Sequence, residues 1–208
     1  MVETMTYKLR NKLREDLPGW KAQRLMATHL HREQRVIPRP DARRAGIMIL
    51  FYPQHSTFYM PLILRPTYSG VHSGQVAFPG GKMEETDRDI IETALRETHE
   101  EIGVLLDDSQ VIGQLTNIYI PPSNSLVTPV VSLIEEKPVY HIDPHEVVEV
   151  VDVSLDDLIN PDNCKVVQID IPGRGVVETP SYQINGHTIW GATAMMISEL
   201  LALLNSAD

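Results

Sequence analysis

Three acidic side chains fall within two helical turns of the stretch ALRETHEEIGV, residues 94–104: Glu97, Glu100 and Glu101. Residues three and four apart share a helical face, so Glu97 has both of the others as neighbours. Adjacent carboxylates repel, and without a cation they titrate high or lower stability. A divalent metal removes that conflict. Magnesium is a hard ion that takes oxygen donors, keeps several waters and completes its shell with phosphate. On spacing alone, a solvated acidic face is the competing reading. The preceding FPGGK favours a site, because Gly80 and Gly81 let backbone approach a ligand more closely than any side chain permits.

Carrying these carboxylates requires a helix, expected from about Asp87 to Ile102 and ended by Gly103 in the left-handed conformation. Ile91, Ala94, Leu95 and Ile102 form its apolar stripe, which would pack on a sheet and hold the acids at an edge. Upstream, IMILFYP and TFYMPLILRP read as a hairpin turning at Gln54–Ser56, and QVAF as a short strand. Further strands are expected at VIGQLTNIYI, LVTPVVSLI, VVEVVDVSL, KVVQIDI and SYQINGHTIW, before a second long helix, ATAMMISELLALLNSA. Residues 4–16 and 20–32 read as helices on either side of Pro18-Gly19. Strands outnumber helices and no repeat divides the chain, which favours a sheet covered by helices. The division expected is an N-terminal helical arm and linker over residues 1–44, then one domain over 45–208.

With 208 residues, 42% of them hydrophobic, the chain can build one sizeable core. A net charge of −10 argues against nucleic acid or an anionic membrane as a partner, since both call for clustered Lys and Arg. A small phosphorylated ligand remains compatible if a metal bridges the like charges. Cys164 is the single cysteine, which excludes an internal disulfide framework and a Cys-rich zinc site and suits a reducing compartment. No run approaches the ~18 apolar residues of a membrane span. The expectation is a cytoplasmic protein.

GGKMEETDRDIIETALRETHEEIGV resembles the Nudix box: Gly, five residues, Glu, seven residues, then Arg-Glu-apolar-x-Glu-Glu-x-Gly-apolar. Arg96, Glu97, Glu100, Glu101, Gly103 and Val104 fall in place. Thr98 stands where an aliphatic residue is usual, Asp87 where Glu is usual, and fourteen residues instead of thirteen separate Gly81 from Arg96. HSGQVAFPGGK, LVTPVVSL, EVVEVVDVSLDDL and INGHTIWGATAMMISELL extend the likeness to the coenzyme A pyrophosphatase branch over roughly residues 45–204. Against that branch's upstream signature Arg65, Gly74, Phe78, Pro79, Gly80 and Gly81 match, whereas Ile63, Pro66 and Gly70 depart; Gly70 replaces an arginine.

The resemblance implies an α/β (α+β) fold, an α/β/α sandwich whose mixed sheet is flanked by helices. It also implies a pyrophosphohydrolase that uses Mg2+, or Mn2+ in its place, on a small-molecule nucleotide. Glu97 and Glu101 are then the primary metal ligands, Glu100 a third ligand or a partner of the base, and Arg96 an orienting residue for Glu97 or Asp87. The base or a further ligand comes from Glu146 or Glu149, with Glu149 favoured by loose alignment. Arg65, Gly80 and Gly81 are expected at the substrate, with His72 as a substitute for the missing arginine. Trp190 stacks on an adenine or packs in the core. The N-terminal helices are candidates to cover the site or to join a homodimer interface.

Overall fold

The computed structural model describes residues 2–28, 35–67, 73–171 and 175–206. In chain order its helices are α1 (Val2–Lys12), α2 (Trp20–Gln23), α3 (Ile90–Ile102), α4 (Leu155–Ile159) and α5 (Gly191–Asn205). The strands are β1 (Arg43–Gln54), β2 (Thr57–Leu64), β3 (Val76–Ala77), β4 (Gly80–Lys82), β5 (Val111–Gln114), β6 (Ile118–Ile120), β7 (Ser125–Leu133), β8 (Glu149–Ser154), β9 (Cys164–Ile171), β10 (Gly175–Ile184) and β11 (His187–Trp190). No described helix is long and apolar enough to cross a membrane.

β1 is the spine. Residues 45–52 are all buried because both faces of the strand are covered. Ala45, Ile47, Ile49 and Phe51 point into a core shared with Ile197, Leu200 and Leu203 of α5, whereas Met48 and Leu50 meet Ala94 and Ile102 of α3. One edge of β1 runs parallel to β7 from Arg43↔Ser125 to Phe51↔Leu133. Its other edge pairs antiparallel first with β4 and then with β2. β2 also pairs with β8 and β3, and β7 with β5 and β6, giving a mixed eight-stranded sheet among the described residues. β9, β10 and β11 form a separate antiparallel sheet. The architecture is the expected sheet between helical layers.

The expected hairpin forms, turning on His55 (φ 50°) and Ser56 (φ 68°). Positive φ at both turn positions matches the right-handed twist of the flanking strands. SYQINGHTIW, read as one strand, instead splits into β10 and β11 at Asn185 (φ 52°) and Gly186 (φ 80°). VIGQLTNIYI likewise divides into β5 and β6.

α3 begins later than Asp87 because Asp89 caps it, accepting from the Ile91 and Glu92 amides at 2.9 and 3.0 Å. Gly103 ends it at φ 71°. The helix rides directly on β1: a Cβ at Gly46 would lie 2.6 Å from the Ile90 carbonyl oxygen and 3.2 Å from the Ala94 nitrogen.

The second N-terminal helix is shorter than the 20–32 expected. α2 passes into one 3-10 turn ending at Met26, and Ala27 is extended (φ −71°, ψ 146°); residues 29–34 lie outside the described residues. Tertiary contacts override local propensity here, since Met26 and Ala27 are buried and Gln23 is committed elsewhere. Its Nε2 donates to Glu199 at 2.8 Å and to the Thr116 carbonyl at 3.0 Å. Glu199, fully buried on α5, also accepts from the amides of Gly19 at 3.0 Å and Thr116 at 3.2 Å. Leu9 of α1 and Leu13, just after its end, enter the same core as α5.

Replacing Gly46 with Ala should push α3 off β1. The expected result is a loss of about 1–3 kcal/mol in urea unfolding, the usual scale for overpacking a tight interior.

Candidate functional site

β4 lays two glycines beneath α3. Gly80 has φ 145°, a conformation suited to glycine, and its amide donates to Glu101 Oε2 at 2.7 Å. A Cβ at Gly81 would lie 2.5 Å from Cδ, Oε1 and Oε2 of Glu97. The glycine pair therefore makes room for two carboxylates, and the bare backbone meets them directly.

Helical geometry sorts the three acids. At about 100° per residue, Glu101 lies about 40° from Glu97 on one flank and Glu100 about 60° on the other. Glu101 turns inward and is 1% exposed. Glu100 turns outward, 54% exposed, and accepts from Arg96 Nη1 at 2.8 Å.

Arg96 is the organising cation. Its Nε and Nη2 grip Asp87 at 3.0 Å each, Nη2 also reaches the Lys82 carbonyl at 3.1 Å, and Nη1 reaches Glu97 at 3.1 Å as well as Glu100. Five bonds match the five N–H groups of a guanidinium, so this side chain orients protein groups instead of offering a donor to a ligand. Arg96 holds buried Asp87 well below the usual carboxylate range, helped by the Glu84 amide and the Thr93 hydroxyl. The extra residue in the 82–95 connection and the shorter acid at 87 still deliver a bidentate contact. Thr98 is equally tolerated, since its buried hydroxyl donates to the Ala94 carbonyl at 2.6 Å.

Arg65 plays the matching part on the inner flank, with Nη2 donating to the Gly80 carbonyl at 2.9 Å and to Glu101 Oε1 at 3.2 Å. Burial pushes Glu101 up to about 7 even so, and the negative charges of Glu97 and Glu146 add to the shift. Burial also raises Glu97, against the pull of Arg96.

Glu97, Glu101 and Glu146 each place an oxygen within 4.8 Å of the others. Three oxygen donors of one charge, with Arg96 on one flank and Arg65 on the other, match the chemistry of a hard divalent cation. The space over Gly81 that any Cβ would fill is part of the same fit.

Two of the expected acids lie apart from this trio. Glu100, expected in the metal set, stands outside this trio because its helical phase turns it to solvent and to Arg96. Glu149, favoured over Glu146, is also outside. It is in phase with Val151 and Val153, which face the α5 core, and its carboxylate lies 3.6 Å from His187 Nε2. Glu146 comes instead from the turn before β8, whose backbone is hydrogen-bonded to α3. The alternation of buried Val151 and Val153 is the signal that separates the two acids. Gly80 and Gly81 abut Glu101 and Glu97, Trp190 immediately precedes α5, and Cys164 is exposed at the start of β9. Gly70 and His72 lie outside the described residues.

Residues 42–169 match the profile of the NUDIX domain. The chain is 38% identical over 168 residues to the uncharacterized Nudix hydrolase NudL of Pectobacterium atrosepticum, covering 78% of this chain and 83% of the relative. It is 34% identical over 137 residues to the mitochondrial coenzyme A diphosphatase NUDT8 of Mus musculus, covering 65% of each. A MutT/nudix family protein from Enterococcus faecalis shares the fold, with a TM-score of 0.57 over 99% of this chain and 74% of that one at 15% identity.

In the folded, metal-free protein Glu101 keeps its proton up to about pH 7, against an ordinary value of 4.5. Between those values the unfolded chain has released the proton and the folded chain has not, so stability falls as pH rises through the window. Urea midpoints of metal-free protein should therefore drop across it, and Glu101→Gln should flatten the dependence. A divalent cation must displace the same proton, so Mn2+ affinity measured by titration should weaken about tenfold per pH unit below 7.

Proposed function

Because the chain belongs to the Nudix hydrolases, enzymes that act on phosphoanhydride bonds, we propose that it cleaves the diphosphate of coenzyme A or a close derivative. The products are 3',5'-ADP and 4'-phosphopantetheine, and the setting is the cytosol or another reducing compartment. The observation that carries the reading is the Glu97–Glu101–Glu146 trio over a Gly-Gly turn. The substrate rests on Arg65, Phe78, Pro79 and Gly80 in the coenzyme A signature and on the activity named for the mouse relative.

Glu97, Glu101 and Glu146 are the residues that would hold Mg2+, with Mn2+ as a substitute. When bound, the ion supplies positive charge to the phosphoryl oxygens and acidifies the attacking water. Arg96 fixes Glu97 from the outer flank and Arg65 fixes Glu101 from the inner one. Both carboxylates are thereby set before substrate arrives, so little reorganisation is needed during reaction. Gly81 keeps the floor clear of side-chain atoms. Glu100, half-exposed on the outer flank and held by Arg96 at 2.8 Å, is the box carboxylate outside the trio and the candidate to receive a proton.

Gly70, standing where the coenzyme A signature has arginine, favours a second reading in which another nucleoside diphosphate, such as ADP-ribose or a dinucleotide, is the substrate. Incubation of each compound with and without Mg2+, followed by product masses, separates the two. Release of 3',5'-ADP and 4'-phosphopantetheine only with the metal is expected. Intact coenzyme A beside cleaved ADP-ribose would transfer the assignment.

Glu97→Gln should lower turnover by at least about 100-fold with the circular dichroism spectrum unchanged. Full activity in that variant would remove the trio from the reaction.

A further inference from the structure

Glu146 belongs to no helix or strand, yet it must hold its place against two like charges. Its segment, residues 134–148, leaves β7 and crosses the C-terminal end of α3 before entering β8. The crossing is tied to α3 itself: the His141 amide donates to the Ile102 carbonyl at 2.8 Å, and the Asp143 amide to the Glu101 carbonyl at 3.1 Å. These acceptors are among the carbonyls that a helix end leaves unpaired. A Cβ on Gly103 would lie 2.5 Å from the His141 Cβ, so the glycine that ends α3 also admits the crossing chain. Asp143 then organises the turn, its carboxylate accepting from the His145 amide at 2.8 Å and its carbonyl from Glu146 and Val147 at 3.1 and 2.8 Å.

Farther from the acids, the segment is fastened a second time. Tyr140 Oη donates to Asp152 Oδ1 at 2.6 Å, and Lys137 Nζ meets Oδ2 of the same carboxylate at 2.6 Å. Lys137 also sits 6.0 and 5.8 Å from the ring centroids of Tyr52 and Tyr140. Asp152 is held in turn on β8, where its carbonyl accepts from Asn185 Nδ2 at 3.0 Å. The Tyr140 ring packs against the cluster containing Ile102 and Val147, the neighbour of Glu146. Burial pushes the Tyr140 hydroxyl up, so it remains a donor throughout the working range.

We propose that Tyr140, Lys137 and Asp152 form a latch that sets the position of Glu146, making Tyr140 and Asp152 positioning residues for the acid trio although neither belongs to it. This rests on the reading of the trio as a metal site. Groups behind a ligand commonly change metal affinity by about 10- to 100-fold when removed. The latch acts by denying the segment 134–148 the freedom to let Glu146 swing away from Glu97 and Glu101.

The test is Mn2+ binding to substrate-free protein, followed by the electron paramagnetic resonance of the free ion, in Tyr140→Phe, Glu146→Gln and the double variant. Tyr140→Phe is expected to weaken binding roughly tenfold, and in the Glu146→Gln background to change nothing further. Asp152→Asn should reproduce this pattern and covers the case in which Tyr140→Phe fails to fold. A wild-type affinity in both latch variants, or losses that multiply in the double variant, would overturn the latch while Glu146→Gln stayed weak. If Glu146→Gln itself binds Mn2+ like the wild type, the trio falls and the latch with it.

Discussion

Three carboxylates within 4.8 Å of one another are an unfavourable arrangement, and much of the surrounding structure serves to hold them there. Burial of Glu101 intensifies the conflict by removing the solvent that would screen it. Neither neighbouring cation cancels the charge at the centre. Arg96 spends all of its donors on the outer flank, and Arg65 reaches only Oε1 of Glu101, the Gly80 amide taking Oε2. What results is a crowded acidic cup that a cation placed between its members would relieve.

That crowding traces back to the spine strand. β1 is covered on both faces, and Gly46 lets α3 settle close enough for the Gly80 amide to reach Glu101. β4, paired to the same strand at Gly46↔Gly81, brings the floor into register with the helix above it. A Cβ at Gly46 would strike the α3 backbone, one at Gly80 would strike β1 at Gly46 and Ile47, and one at Gly81 would displace the Glu97 carboxylate. The site is therefore a property of the packing distance between one helix and one strand.

Local signals made much of this readable in advance. Gly103, helical spacing and the apolar stripe placed α3, though not its Asp89 cap, and the hairpin of β1 and β2 followed from two apolar runs around a short polar turn. The Asn-Gly pair between β10 and β11 carried an equally plain turn signal that a strand reading overlooked. Glu146 was harder: the valines after Glu149 mark that acid as in phase with the core, but what places Glu146 is a non-local crossing over the end of α3 that no local pattern announces. Glu100 lies apart from the trio for a simpler reason: sharing a helical face with Glu97 is not the same as pointing to the same side of it as Glu101. The second N-terminal helix fell short because its last turn answers to buried contacts on α5, far away along the chain.

Glu199 draws those distant segments together, accepting from Gly19 and Gln23, which precede it by 180 and 176 residues, and from Thr116. During synthesis those donors emerge long before their acceptor. The arm can dock in its observed place only after α5 has cleared the ribosome, so this contact closes only once every described strand has been synthesised.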